Sequence, residues 1–276
     1  MEALLHPASL ALAFFALAGI CFSWQIPRST GFGLILITFG AFVATFGPFI
    51  WDVVGASTGR PGELGGDVWQ VLLSTRLSPW LLLVGALGWL TLWGTLRRGL
   101  ALMGAFTAPC ATLILLVHEF FGGWGTDRPQ SATSNGILSA HVALSILGEA
   151  FAITASSVAL FYLWKRGELK HRKIDGFTRD LPALDSLAAF LVWCVRLGFV
   201  LFSFALITGT QVRSALGAEI GPMHFKIIWA LLTWIWYLAT LLSTSVFRQP
   251  IKRLAQMSLG GFFILAVAYF GLGFVS

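Results

Sequence analysis

The hydrophobic residues of this chain run in long blocks, not in alternation. Between the blocks lie short segments where glycine, proline and the charged residues collect. About 20 apolar residues at 1.5 Å each cover the hydrocarbon of a bilayer. Eight blocks are long enough: 8–24, 32–51, 79–96, 99–121, 136–164, 184–209, 222–246 and 254–275. In lipid each segment must satisfy its own backbone hydrogen bonds, so every block predicts a helix. The period-2 alternation of an outer-membrane barrel is absent. The expected fold is all-α: a polytopic membrane helix bundle of eight transmembrane helices, forming one domain over residues 1–276.

The fifth block stands out. GILSAHVALSILGEAFAITASSVALFYLW opens after the capping-type pair Ser134-Asn135 and stops at the cations of KRGELKHRK. His141 lies a turn and a half inside it, and Glu149 lies two turns deeper. Eight residues apart, they share one side of the helix. Of the connections, the outer loop 52–78 is rich in glycine and proline, and its DVWQVLLSTRL run fits a short interfacial helix. Residues 165–180 are expected as a solvated linker whose cations can attract anionic lipid.

Composition agrees with a membrane protein, with 57% hydrophobic and 11% charged residues. The basic balance, pI about 9.7, is explained by where the charges fall. Arg28, Arg97, Arg98, Lys165, Arg166, Lys170, Arg172, Lys173, Arg179, Arg248, Lys252 and Arg253 lie after odd-numbered spans. Arg60, Arg76, Arg128, Arg213 and Lys226 lie on the other side, and Arg196 lies inside a span. The bias puts the richer side in the cytoplasm and both termini outside, in a bacterial-type cytoplasmic membrane. The charge is topological, and nucleic acid is not an expected partner; the lipid bilayer is. Glu2 and the late first cation, Arg28, suit an N-outside first span and not a cleaved leader. Cys21, Cys110 and Cys194 fall within spans with no paired spacing, which argues against thiol redox and zinc chemistry. Trp24, Trp51, Trp80, Trp93, Trp124 and Trp164 sit near span ends like an aromatic belt; Trp193, Trp229, Trp234 and Trp236 are deeper.

Two constellations could carry chemistry. His141 and His224 each stand a few residues inside the outer end of an odd-numbered span, at similar depth. Two imidazoles on facing helices can ligate a haem iron. Interfacial histidines that hydrogen-bond to water or headgroups fit the same spacing. Glu149 and Arg196 lie at matching depths on sequential spans, where a charge costs roughly 3 kcal/mol even on the insertion scale, so a buried ion pair is expected. A proton relay or ligand-binding role is the alternative for that pair. His118-Glu119 at the end of the fourth block, and the side Trp229, Thr233, Trp236, Tyr237 below His224, are lesser candidates for metal and porphyrin. No motif of classical enzyme catalysis is present, and none is expected.

SAHVALSILGEAFAITASSVALFYLWKRGELK, GFVLFSFALITGT, HFKIIWALLTWIWYLATLL and RLAQMSLGGFFILAVAYFGLGFV stand in this order over about 136–275. Together they resemble the cytochrome c assembly family, the CcsA and HemX-like membrane proteins. The resemblance implies haem binding or haem-linked assembly at the outer face. His141 and His224 would be axial ligands, with Arg128, Arg213 or Lys226 offered to propionates. GTQVRSALGAEIGPMHFK lacks the family's tryptophan-rich run, and AFVATFGPF and YLATLLSTS lack its deeper histidine pair. The likeness is therefore to the HemX-like branch, with haem as cofactor and a membrane or cytochrome-assembly protein as partner. A cofactor-free scaffold or regulator, and a small transporter using Glu149 and Arg196, are the competing classes.

Overall fold

The computed structural model describes residues 7–23, 27–57, 79–98, 100–120, 136–171, 181–215 and 223–273. The described residues form eight α-helices: α1 (Pro7–Ser23), α2 (Pro27–Ser57), α3 (Pro79–Arg98), α4 (Gly104–Phe120), α5 (Gly136–His171), α6 (Leu184–Ala215), α7 (Met223–Ser245) and α8 (Ile251–Gly273). A 3₁₀ turn, Ala101–Met103, leads into α4, and no strand occurs among the described residues. The all-α expectation holds. Among the described residues three segments are long and apolar enough to cross a membrane: Ala140–His171, Leu184–Val212 and Ile227–Ser245. Ser9–Phe22, Phe32–Gly47, Leu81–Arg97 and Gly104–Leu116 are shorter apolar helices. The candidate interfacial helix in 67–77 lies outside the described residues.

Helix ends differ from the hydrophobic blocks in a consistent way. α5 does not stop at its cations but continues through Lys165 to His171. Lys, Arg, Glu and Leu are good helix formers, so charge ends the apolar run without ending the helix. Trp164 Nε1 donates to Glu168 Oε1 at 2.7 Å, one turn along. Lys165 Nζ donates to the carbonyls of Leu181 and Pro182, the latter at 2.8 Å. Lys165 is thus a tether between the end of α5 and the approach to α6, not a solvated linker residue. At the α7–α8 turn Arg248 takes φ 47°, and the Gln249 amide donates to the Ser243 carbonyl at 2.9 Å. The helix thus ends on a left-handed residue, with arginine where glycine is usual, followed by Pro250.

The chain divides into two compact units, a boundary the hydrophobic pattern does not mark: Met1–Trp93 with Gly104–Ser139, and Gly94–Met103 with Ala140–Ser276. In the first, Ala11, Phe15, Ala18, Phe22, Ile37, Ala44, Val84, Ala108 and Leu115 belong to one buried cluster. Its geometry is rings set against glycines: a Cβ at Gly40 would stand 2.9 Å from Phe15, and one at Gly33 2.9 Å from Phe22. Such small-residue notches let helices approach where no hydrophobic drive separates helix from lipid. Thr91 Oγ1 and Thr107 Oγ1, both buried, lie 2.9 Å apart and join α3 to α4.

In the second unit α5 is the central rod, buried on every side over 150–159. α6 runs antiparallel to it, with Gly148 against Phe202 and Gly198 against Phe151. Two of the deep tryptophans, Trp234 and Trp236, tie helices together. Trp234 Nε1 donates to Ser203 Oγ at 2.9 Å, and Trp236 Nε1 donates to the Met257 carbonyl at 2.8 Å. Ser156 Oγ reaches the Ser258 carbonyl at 3.0 Å and links α5 to α8. In hydrocarbon a polar group without a partner is expensive, so these ties also satisfy the groups that make them.

Candidate functional site

His141 occupies the second turn of α5, half-buried against α6. Its Nδ1 lies 2.9 Å from the Ala205 carbonyl oxygen and 3.4 Å from Thr208 Oγ1. A carbonyl oxygen can only accept. Thr208 Oγ1 itself donates to the carbonyls of Phe204, at 2.9 Å, or Ala205, at 3.1 Å, and so turns a lone pair toward the ring. The proton of a neutral His141 therefore sits on Nδ1, and Nε2 carries the lone pair. Among the described residues Nε2 has no hydrogen-bond partner.

Room for the ring comes from Gly209. A Cβ there would stand 2.9 Å from His141 Cε1 and 3.3 Å from Nδ1, so an alanine would force the imidazole to shift. Ser145 Oγ donates back to the His141 carbonyl at 2.8 Å, holding the turn that carries the histidine. Ala205, Thr208 and Gly209 are site residues that residue types did not single out. Their one signal in the sequence is a glycine inside the apolar LITGT run.

This arrangement has the chemistry of a metal-ligating histidine whose other nitrogen is fixed by a carbonyl. The free Nε2 is the kind of donor that a haem iron takes. Among the described residues no group of three His, Cys, Asp or Glu gathers to hold an ion by itself. His224 takes the second position of α7, and its side chain lies outside what is described. The same holds for the side chains of His118, Arg213 and Lys226, while Arg128 and His6 lie outside the described residues altogether.

The remaining candidates fall elsewhere. Glu149 is half-buried on α5, whereas Arg196 is exposed. Gly198, Phe202, Ala205 and Gly209 form the side of α6 that meets α5. At 100° per residue Arg196 lies on the opposite side. The helix pairing sets Gly148 level with Phe202, which leaves Arg196 more than a turn beyond the level of Glu149. A pair shielded between α5 and α6 is therefore not what these positions form. The aromatic side of α7 is occupied in packing: Tyr237 is buried with its ring 5.6 Å from that of Phe202, and Trp236 is tied to α8.

A family model described as cytochrome C assembly protein matches residues 73–276, well over half of the chain. The match reaches back through α3 and α4, ahead of the 136–275 stretch whose motifs carry the resemblance. No curated protein and no solved structure matches the chain.

Proposed function

The chain belongs to the cytochrome c assembly protein family, a multi-pass membrane protein of cytochrome c biogenesis, and on that premise we propose that it binds haem through His141. The observation that carries this reading is the His141 ring, which gives its Nδ1 proton to the Ala205 carbonyl and keeps the Nε2 lone pair for a ligand. Haem would supply an iron centre able to take one or two axial imidazoles. His141 and His224 would hold the iron, with Arg213 and Lys226 available to the propionates. In this reading α5 and α6 position the ligand, and Gly209 keeps the ring's place open. The absence of the tryptophan-rich run supports placement in the HemX-like branch, and the cation count supports a site near the outer face of a bacterial cytoplasmic membrane.

The test is the visible spectrum of the full-length protein purified after expression with ample haem. A Soret band is expected in the wild type, with His141→Ala losing most of it and His141→Met shifting its position. No Soret band in a folded wild-type protein would sink the haem reading and leave a scaffold or regulator.

A further inference from the structure

α6 presents its small and aromatic side to α5, so the opposite side is free to face outward. That side is a stripe at helical spacing of exposed residues: Ala189, Arg196, Val200, Phe204 and Ile207. Phe204 is 54% and Ile207 55% exposed. Four of the five are what a lipid-facing surface holds, and Arg196 is the exception. It lies within Leu184–Val212, one of the segments apolar and long enough to cross a membrane. Counting from exposed Asp185, Arg196 is about 16 Å along the axis at 1.5 Å per residue. The hydrocarbon is about 30 Å thick, which puts this residue well inside it.

A guanidinium cannot shed its charge by deprotonation at this depth. A side chain rooted there snorkels only part of the way to the headgroups. Intramembrane ionisable groups normally turn inward or pair with one another. Arg196 turns away from α5 and from the half-buried Glu149, so neither inward solution applies. The guanidinium fork is matched best by a carboxylate, which it takes in two parallel hydrogen bonds.

We infer that this face of α6 is a docking surface for one transmembrane helix of another polypeptide, which brings a carboxylate to Arg196 at mid-bilayer depth. Val200, Phe204 and Ile207 pack against that helix, and the small side chain of Ala189 lets the two backbones close toward the Leu184 end. The pairing sets both partner and depth, because any helix without the carboxylate leaves the arginine uncompensated. The inference stands on Arg196 and its stripe, and is independent of haem.

Full-length protein in phosphatidylcholine vesicles, carrying a donor dye, is titrated with a labelled leucine–alanine helix of about 24 residues that bears one central glutamate, or glutamine at the same place. Energy transfer should show the glutamate helix binding at least about tenfold more tightly than the glutamine helix. Arg196→Met should bring the two to one level, and Arg196→Lys should keep part of the preference. Ile207→Trp, which leaves the charge and obstructs the face, should weaken both. Equal binding of the two helices by wild type, or a preference that survives Arg196→Met, overturns the inference. Self-association of the wild type that Arg196→Met disperses would also overturn it, since the occupant would then be a second copy of this chain.

Discussion

His141 shows at residue scale which part of a site a sequence displays. A histidine inside an apolar run is visible at once, because an imidazole there needs a partner. Its partners are not visible: one is a main-chain carbonyl, which every residue has, and another is a missing side chain at 209. Only the pairing of α5 with α6 brings 141 opposite 205 and 209. Gly209→Ala places a methyl 2.9 Å from Cε1 and should cost about 1–3 kcal/mol through crowding. It should also break the Nδ1–Ala205 contact. In histidine-labelled protein without haem, the wild type should give the nitrogen NMR signature of a single Nδ1–H tautomer. Gly209→Ala should give a mixture, and the Soret band of the loaded variant should weaken or shift. An unchanged tautomer signature would show that Gly209 does not position the ring.

Elements were legible in kind and less so in their ends and mutual rotation. Each of the eight apolar blocks has an α-helix over most of its described residues, because block length and composition decide that much. The cationic cluster after Trp164 marked the end of the apolar run correctly, but it was no helix stop, as Glu168 and Lys165 show through the bonds they make. Depth along α5 and α6 put Glu149 and Arg196 near one another. Rotation about α6, fixed by the glycine side that meets α5, separates them. A buried pair would make the double variant recover the loss of each single one. With Arg196 exposed, the expected outcome is different: Glu149→Gln and Arg196→Met should add within about 0.5 kcal/mol in a thermal-unfolding cycle of the solubilised protein. Recovery in the double variant would show that the two side chains meet after all.

For the whole molecule, the membrane class and the eight helices of the described residues follow from the chain's hydrophobic pattern, while the division into two compact units does not. That division follows from packing, with the segment Gly94–Met103 joining the later helices: a Cβ at Gly94 would lie 3.3 Å from Phe190. Only contacts distant in sequence draw such a boundary. Orientation rests on charge. If all eight helices cross, the helix number is even and both termini share one side. The cations concentrated at Lys165–Arg179 and Arg248–Arg253 would then favour the cytoplasmic side for those connections. Reporter fusions after His171 and after Gln249 should read cytoplasmic, and fusions within 122–135 and at both termini should read external. The shorter apolar helices of the first unit make the amino-terminal fusion the informative one. A cytoplasmic amino terminus with an external 122–135 loop would mean that one of α1–α4 lies along the membrane instead of through it. A reversed pattern throughout would move His141 to the cytoplasmic face and overturn its placement near the outer one.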